Sequence, residues 1–273
     1  MLIDFHAHLF PQAIAERVLK TLSGNILACK GVEKIPCTDG TVDGLRKNMR
    51  AKGVDVSVVM PIATKISQTC SINSFAEEIT SDDIISFGSL HPFQDDWEDV
   101  LTNLAEKGFK GIKLHPQYQQ VQVDSNEMIR MLKKAEELKL YTTLHAGVDY
   151  GVPPPDMCTP LMLKHVLEEV SGKYLIAAHL GSMDMWDDVE KYLVGTDMYF
   201  DTAAISDIID KDQYRRIIKN HGADKILFAT DSPWEDVLET LAALNQLGLD
   251  EEELEKIKYK NALKILGIKN TIA

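Results

Sequence analysis

The sequence has few basic residues and no long apolar run, and both absences exclude a class of protein. Its 29 lysines and arginines are outnumbered by 42 aspartates and glutamates, so the formal net charge is −13. Such a charge argues against binding to a nucleic-acid backbone. No apolar run approaches the roughly 18 residues that a membrane-spanning helix needs. We therefore expect neither a nucleic-acid partner nor a membrane partner.

Cysteine is also scarce, and its spacing has no pattern. The four cysteines are Cys29, Cys37, Cys70 and Cys158, and no two of them form a C-x-x-C pair. Isolated thiols of this kind are typical of a reducing compartment. The first residues enter a strand at once and include Asp4, so no secretory signal is predicted. A composition of 45% hydrophobic and 26% charged residues is close to the average for a globular protein. With the isolated thiols and the lack of a predicted signal, we expect a cytoplasmic globular protein.

Alternating strands and helices predict the fold. Eight short apolar strands are predicted at 2–5, 54–60, 84–90, 109–114, 140–144, 174–178, 198–200 and 225–230. Nearly all-apolar strands separated by helices indicate a parallel sheet, and eight such units close into a (β/α)8 TIM barrel. A doubly wound open sheet is the alternative. It requires a glycine-rich phosphate loop after the first strand, and the sequence lacks one.

The barrel is predicted to occupy residues 1–273 as a single α/β domain, with extra carboxyl-terminal helices near 250–258 and 259–267. Helix starts are predicted at Thr41, at Thr159-Pro160, and at two stretches with capping-box spacing, Asp124–Glu127 and Ser232–Glu235. Residues 12–22 predict an amphipathic helix. Residues 23–40 contain three glycines and a proline and predict a long irregular excursion.

Potential metal ligands follow the predicted strands. His6 and His8 point to the same side, because side chains alternate along a strand. Later strands end in four further histidines and two aspartates, which are His91, His115, His145, His179, Asp201 and Asp231. In a TIM barrel the carboxyl ends of the strands meet at one mouth, where the active site lies. Imidazole and carboxylate groups bind divalent metals, so this pattern predicts a metal centre.

Several motifs together resemble the amidohydrolase superfamily. The motifs are Asp4-Phe-His-Ala-His-Leu-Phe-Pro11, a strand that ends in His145, His179-Leu-Gly-Ser, and Phe228-Ala-Thr-Asp-Ser-Pro-Trp234. More narrowly, they are similar to the branch that includes aminocarboxymuconate-semialdehyde decarboxylase. The segment Lys260–Leu266 resembles the carboxyl-terminal helix of that branch. The resemblance extends over essentially the whole chain.

The resemblance implies roles for the matching residues. It implies that His6, His8, His145 and Asp231 bind metal, and that His179 and Asp231 act as acid and base. The implied cofactor is Zn²⁺, or another divalent metal such as Mn²⁺ or Fe²⁺, with one ion per chain favoured over two. A metal of this kind lowers the pKa of its bound water to about 7.

The fourth strand leaves alternatives open. Binuclear members of the superfamily carry a carboxylated lysine there that bridges two metals, and Lys113 could take this role. An internal salt bridge is the other interpretation of Lys113. His115 could bind metal or contact substrate. Trp234 could stack on substrate or pack against the rim, and Asp201 could orient a ligating histidine or cap a helix.

Three functions are compatible with these residues. The main hypothesis is metal-dependent hydrolysis of an amide, ester or lactone in a small molecule. The alternative is metal-assisted, non-oxidative decarboxylation of a small carboxylic acid, and a non-catalytic metal-binding protein is third. A carboxylate substrate favours an arginine clamp, and only Arg17 is predicted near the mouth. The substrate itself depends on the loops, and a homo-oligomer is left open.

Overall fold

Eight parallel strands form a closed barrel in the computed structural model, which describes residues 1–269. The strands are β1 Ile3–Ala7, β2 Val56–Val59, β3 Ile84–Ser86, β4 Gly111–Leu114, β5 Tyr141–Leu144, β6 Leu175–Ala177, β7 Tyr199–Asp201 and β8 Ile226–Leu227. The Gly88 amide donates to the Gly111 carbonyl and links the β3 chain to β4. The Phe5 amide donates to the Phe228 carbonyl and links β1 to the end of β8. The predicted (β/α)8 fold is confirmed.

The helices follow the strands in the predicted alternation. They are α1 Ala15–Lys30, α2 Val42–Lys52, α3 Thr69–Ile79, α4 Trp97–Glu106, α5 Pro116–Gln119, α6 Asn126–Glu137, α7 Pro160–Val166, α8 Trp186–Tyr192, α9 Lys211–His221, α10 Val237–Asn245, α11 Glu251–Glu255 and α12 Asn261–Leu266. A π-helical turn, Lys256–Lys260, joins the last two, which are the predicted extra helices. None of the helices within residues 1–269 combines the length and the apolar character needed to cross a bilayer.

The core lies between the strands and one face of each surrounding helix. Leu45 of α2, Leu101 of α4, Met131 of α6, Leu163 of α7 and Ile217 of α9 are at most 1% exposed and belong to one apolar cluster with strand residues. Burial of each such side chain stabilises the fold by roughly 1.5–3 kcal/mol. The cluster fixes the helices on the barrel and thereby fixes the loops at its mouth.

Two predicted helix starts are confirmed, one is displaced by one residue, and one is wrong. Thr41 and Thr159 accept hydrogen bonds from the first turns of α2 and α7, as the sequence predicts. At 124–127 the N-cap is Ser125, whose hydroxyl accepts from the Met128 amide, because the Asp124 carboxylate instead pairs with His165. At 232–235 no helix begins.

The helix expected to open at Ser232 begins at Val237 with Asp236 as its N-cap. The Ser232 carbonyl accepts a hydrogen bond from the His8 amide, so this part of the chain is held by barrel closure. The Glu235 carboxylate is buried and accepts hydrogen bonds from Ser206 and Thr240. It is therefore turned into the protein and is not free to cap a helix.

The irregular excursion predicted from residue 23 is also wrong, because α1 continues to Lys30. Leu22 and Ile26 continue the four-residue apolar spacing of Ile14 and Val18, and Gly24 does not interrupt the helix. The helix ends at Gly31, whose φ of 70° is the left-handed conformation that favours glycine. This longer α1 forms part of the mouth of the barrel.

Candidate metal centre

Three predicted ligands meet at the junction of the first and last strands. His6 and His8 come from β1 and the residue just after it, and Asp231 lies in the loop after β8. Their donor atoms all lie within 4.8 Å of one another. The Asp231 Oδ1 is 3.3 Å from the His6 Nε2 and 2.9 Å from the His8 Nε2. We refer to these three side chains as the first group.

Both imidazoles of the first group are anchored through the other ring nitrogen. The His6 Nδ1 lies 2.9 Å from Asp201 Oδ2, and the His8 Nδ1 lies 2.8 Å from the Met60 carbonyl oxygen. These oxygens only accept hydrogen bonds, so in a neutral imidazole each Nδ1 carries the proton. Each Nε2 then presents a lone pair towards the Asp231 carboxylate. Three acceptors that converge in this way fit a divalent cation.

Asp201 is the outer partner of His6. One of its oxygens contacts His6, and the other accepts hydrogen bonds from the backbone amides of His179 and Ala203. Its side chain is fully buried. The helix after β7 is capped by Asp210 instead. Of the two interpretations of Asp201, the structure therefore shows the one in which it orients a histidine.

Lys113 borders the first group. Its ammonium nitrogen lies 3.1 Å from the His6 Nε2, and its side chain is buried. Burial lowers the pKa of Lys113 to about 8, because a charged group loses its hydration there. Within residues 1–269 Lys113 forms no ion pair with a carboxylate, so the internal salt bridge is not formed. The lysine instead donates to the ring nitrogen that faces the candidate metal position.

A second group of possible ligands lies beside the first. It consists of His115, His145 and Asp149, whose donor atoms also lie within 4.8 Å of one another. The His115 and His145 rings stack with centroids 4.1 Å apart and an 8° angle between their planes. The Asp149 Oδ2 is 3.3 Å from the His115 Nε2 and 3.8 Å from the His145 Nε2. Asp149 was not predicted from the sequence.

His179 connects to the second group. Its Nδ1 lies 2.9 Å from the Ala203 carbonyl oxygen, and its Nε2 lies 3.0 Å from the His145 Nδ1. The His145 Nε2 is buried without a hydrogen-bond partner among the described residues. The predicted ligand set is thus divided. Three of its members form the first group, and His145 is turned towards Asp149.

Burial sets the charge of these groups. It lowers the pKa values of His6, His115 and His145 well below their usual range, and the neighbouring Lys113 ammonium lowers the pKa values of His6 and His115 further. Neutral imidazole is the form that binds metal. Burial raises the pKa of Asp231, whereas a positive charge on His6 and a hydrogen bond from His8 would lower it well below its usual range. With both imidazoles neutral and protonated on Nδ1, the first group instead presents two lone pairs and one carboxylate, the set that a cation requires.

A family model described as Amidohydrolase matches residues 3–268, which is nearly the whole chain. The chain belongs to the amidohydrolase family. It is accordingly an enzyme, and the resemblance stated from the motifs is confirmed. No curated protein matches the sequence.

Solved structures share the fold of this amidohydrolase. One is 2,6-dihydroxybenzoate decarboxylase in complex with 2,6-dihydroxybenzoate, at 15% identity and a TM-score of 0.69, covering 98% of this chain and 99% of that one. A second is a 5-carboxyvanillate decarboxylase variant from Novosphingobium aromaticivorans with bound manganese, at 14% identity and a TM-score of 0.70, with 98% and 97% covered. A third is a probable 2-pyrone-4,6-dicarboxylic acid hydrolase from Acinetobacter baumannii, at 17% identity and a TM-score of 0.65, with 97% and 99% covered. At these identities the likeness establishes the fold alone.

A cavity of about 480 Å³ opens beside both groups of this amidohydrolase. His8, His115 and Asp149 line its polar end, and Trp234 also lines it. The remaining lining is largely apolar.

Arg17, the arginine expected near the mouth, is exposed and does not line the cavity. His91 lies outside both groups, and its Nδ1 accepts a hydrogen bond from the Phe93 amide.

Proposed function

We propose that this amidohydrolase catalyses the metal-dependent, non-oxidative decarboxylation of a small carboxylic acid. The observation that carries the proposal is the apolar cavity next to His8. A carboxylate bound there loses hydrating water, whereas the CO₂ that leaves is neutral and needs none. The decarboxylases among the structures of the same fold support this alternative over hydrolysis, which was the main hypothesis from the sequence.

His6, His8 and Asp231 are proposed to hold one divalent metal per chain, with His145 as a fourth ligand once its ring turns from Asp149 and His179 towards them. Zn²⁺ suits nitrogen and carboxylate donors, and Mn²⁺ is the alternative, since a structure of the same fold contains manganese. The metal would supply positive charge that holds the substrate and stabilises the electron pair left on it. A carboxylated Lys113 that bridges two metals stays an alternative to one ion.

The protein's own groups are proposed to manage the proton. Breaking the bond between carbon and the carboxylate leaves an electron pair on carbon, which must take a proton. We assign His179 as the proton donor, with Asp231 as the second acid–base group. The Ala203 carbonyl fixes the His179 Nδ1, so proton exchange occurs at Nε2, which lies 3.0 Å from the His145 Nδ1. The His145 ring lies between His179 and the cavity, so its turn towards the metal would free the His179 Nε2, and a doubly protonated His179 would then give its Nε2 proton to the substrate carbon.

Hydrolysis of an ester or lactone is the second candidate, and the hydrolase with the same fold favours it. The experiment that separates the two incubates metal-loaded enzyme with aliphatic and aromatic carboxylic acids, esters and lactones. We expect CO₂ release from an acid, with no turnover of esters or lactones, and loss of the activity in Asp231→Asn. Hydrolysis without CO₂ release would overturn the proposal.

A further inference from the structure

One wall of the cavity is the apolar face of α1. Ile14, Val18, Leu22 and Ile26 all line it. Their four-residue spacing places them on one side of the helix. Each is only partly buried, because it faces the open cavity. The charged residues of the same helix, such as Lys20, are exposed to solvent.

The opposite wall is also apolar. Ile72 and Phe75 of α3 line it, and Met60 and Ile62 of the loop after β2 continue it towards His8. The cavity therefore has two apolar walls, and the polar end that meets the first group is formed by a few side chains. A volume of about 480 Å³ accommodates a small molecule with room beyond one carboxylate.

The cavity offers no cation to a second negative charge. Within residues 1–269 no lysine or arginine lines it, and the one lining carboxylate is Asp149. The Lys30 ammonium lies outside the lining, 4.6 Å from the centre of the Tyr150 ring that does contribute to it. The lining also contains the neutral polar side chains of Thr64, Gln68 and Ser71. A carboxylate placed between the apolar walls would lose its hydration and gain at most uncharged hydrogen bonds, without a cationic partner, which is unfavourable.

We propose that the cavity binds the non-reacting part of the substrate and that this part is an uncharged apolar group. The substrate would then be a monocarboxylic acid whose single charge is the carboxylate at the metal. The position of that carboxylate rests on the proposed function. The apolar site itself does not, because α1, α3 and the loop after β2 form its walls, and none of these wall residues is a proposed metal ligand.

The test uses the neutral fluorophore N-phenyl-1-naphthylamine, whose emission rises in apolar surroundings. Chelator-treated protein should bind about one equivalent of this probe, since no metal is needed. Leu22→Asn should weaken probe binding about tenfold, because it places an amide in the apolar wall without a partner. The matched control is Leu27→Asn on the same helix, whose leucine is 51% exposed and does not line the cavity. It should bind the probe as the unchanged protein does.

A competition series then tests the chemical class. Linear alkanoates from butanoate to decanoate should displace the probe, with affinity rising roughly fourfold for each added methylene until the cavity is full. The α,ω-dicarboxylates of equal length should displace it far more weakly. Val18→Thr, which conserves volume, should weaken binding in the same direction by about threefold, so the result does not depend on the folding of Leu22→Asn.

The inference is overturned if the probe does not bind, if dicarboxylates compete as well as alkanoates, or if Leu22→Asn and Leu27→Asn behave alike. These outcomes are independent of catalysis. Absence of CO₂ release with intact probe binding would overturn the proposed decarboxylation and leave the apolar site standing. Decarboxylation of a dicarboxylate with no probe binding would overturn the apolar site and leave the proposed decarboxylation standing.

Discussion

The two groups at the mouth of the barrel have the same composition and different hydrogen bonds. Each contains two histidines and one aspartate within 4.8 Å. In the first group, Asp201 and the Met60 carbonyl accept hydrogen bonds from the Nδ1 atoms of His6 and His8, so the Nε2 atom of each histidine carries a lone pair. In the second, the Tyr118 amide donates to the His115 Nδ1. The neutral His115 ring therefore carries its proton on Nε2, which can donate to Asp149.

The difference indicates which group needs a cation. In the second group a histidine N–H can donate to the carboxylate. In the first group the three atoms that face one another are all hydrogen-bond acceptors, and the Lys113 ammonium, from outside the group, donates to one of them, the His6 Nε2. The partners behind the imidazoles, more than the imidazoles themselves, distinguish a metal centre from a hydrogen-bonded cluster. Substitutions at buried histidines and carboxylates can therefore break or sharpen this contrast.

The largest effect is expected from removing the two anchored imidazoles. The double variant His6→Ala/His8→Ala should lose metal affinity by more than about 100-fold, since loss of an outer partner alone weakens binding by roughly 10–100-fold. Elemental analysis of the purified protein measures the bound metal. The matched double variant His115→Ala/Asp149→Asn should keep about one equivalent. Full metal in the first variant, or loss only in the second, would reverse the assignment.

The next largest effect is expected from changing Asp201, whose carboxylate anchors the His6 ring. In Asp201→Asn the amide oxygen is expected to keep the backbone hydrogen bonds, which turns the NH₂ group towards His6. The Nδ1 must then accept, the proton moves to Nε2, and the lone pair for the metal is lost. Metal affinity should fall about 10–100-fold in competition with a fluorescent chelator. Asp197→Asn, a half-exposed surface position, is the control. Equal affinities in the two variants would refute the anchoring role.

Glu235 tests how a buried carboxylate behaves without imidazoles around it. Burial raises its pKa from 4.5 to about 7, and its Oε2 has no hydrogen-bond partner among the described residues. An acid whose pKa rises on folding destabilises the fold when ionised, so stability should fall as the pH rises from about 4.5 to about 7. Glu235→Gln should be more stable than the unchanged protein by about 1–2 kcal/mol at pH 8.

The gain in Glu235→Gln should vanish at about pH 4 and below, where both folded and unfolded states of the original protein are largely protonated. Urea unfolding at both pH values measures it. An equal difference at the two pH values would show that the substitution acts through packing and not through ionisation.

Much of the barrel could be predicted from the sequence, because its signals are local. Apolar strands and helical spacing indicated the eight repeats, and the alternation along β1 placed His6 and His8 on one side. The sequence does not predict the extent of α1, because it does not distinguish Gly24, which lies within the helix, from Gly31, which ends it. Only the second has a left-handed conformation, which tertiary structure decides.

The hydrogen bonds of the site could not be predicted in the same way. The Met60 carbonyl that anchors His8 carries no side-chain signal, and Asp149 lies in a loop whose path depends on the whole barrel. Asp149 follows His145 by four residues, a spacing that could have drawn attention to it. The sequence predicted that His6, His8 and Asp231 would lie together, but not that Asp149 would join His115 and His145. It did not contain the information about which ring nitrogen each histidine turns towards its neighbour.

The smallest effect is expected from Asp149→Asn in the second group. The His115 Nε2–H can donate to the new amide oxygen as it does to the Asp149 carboxylate, so the substitution retains the geometry and loses only charge. Metal content should stay within about twofold, and stability should change by about 1 kcal/mol or less. Asp231→Asn is the matched change in the first group. There the facing histidine nitrogens carry lone pairs and cannot donate to the new amide oxygen, and the negative charge that binds the cation is lost. This variant should therefore release metal. If both substitutions release metal equally, the two groups form one centre and the contrast between them fails.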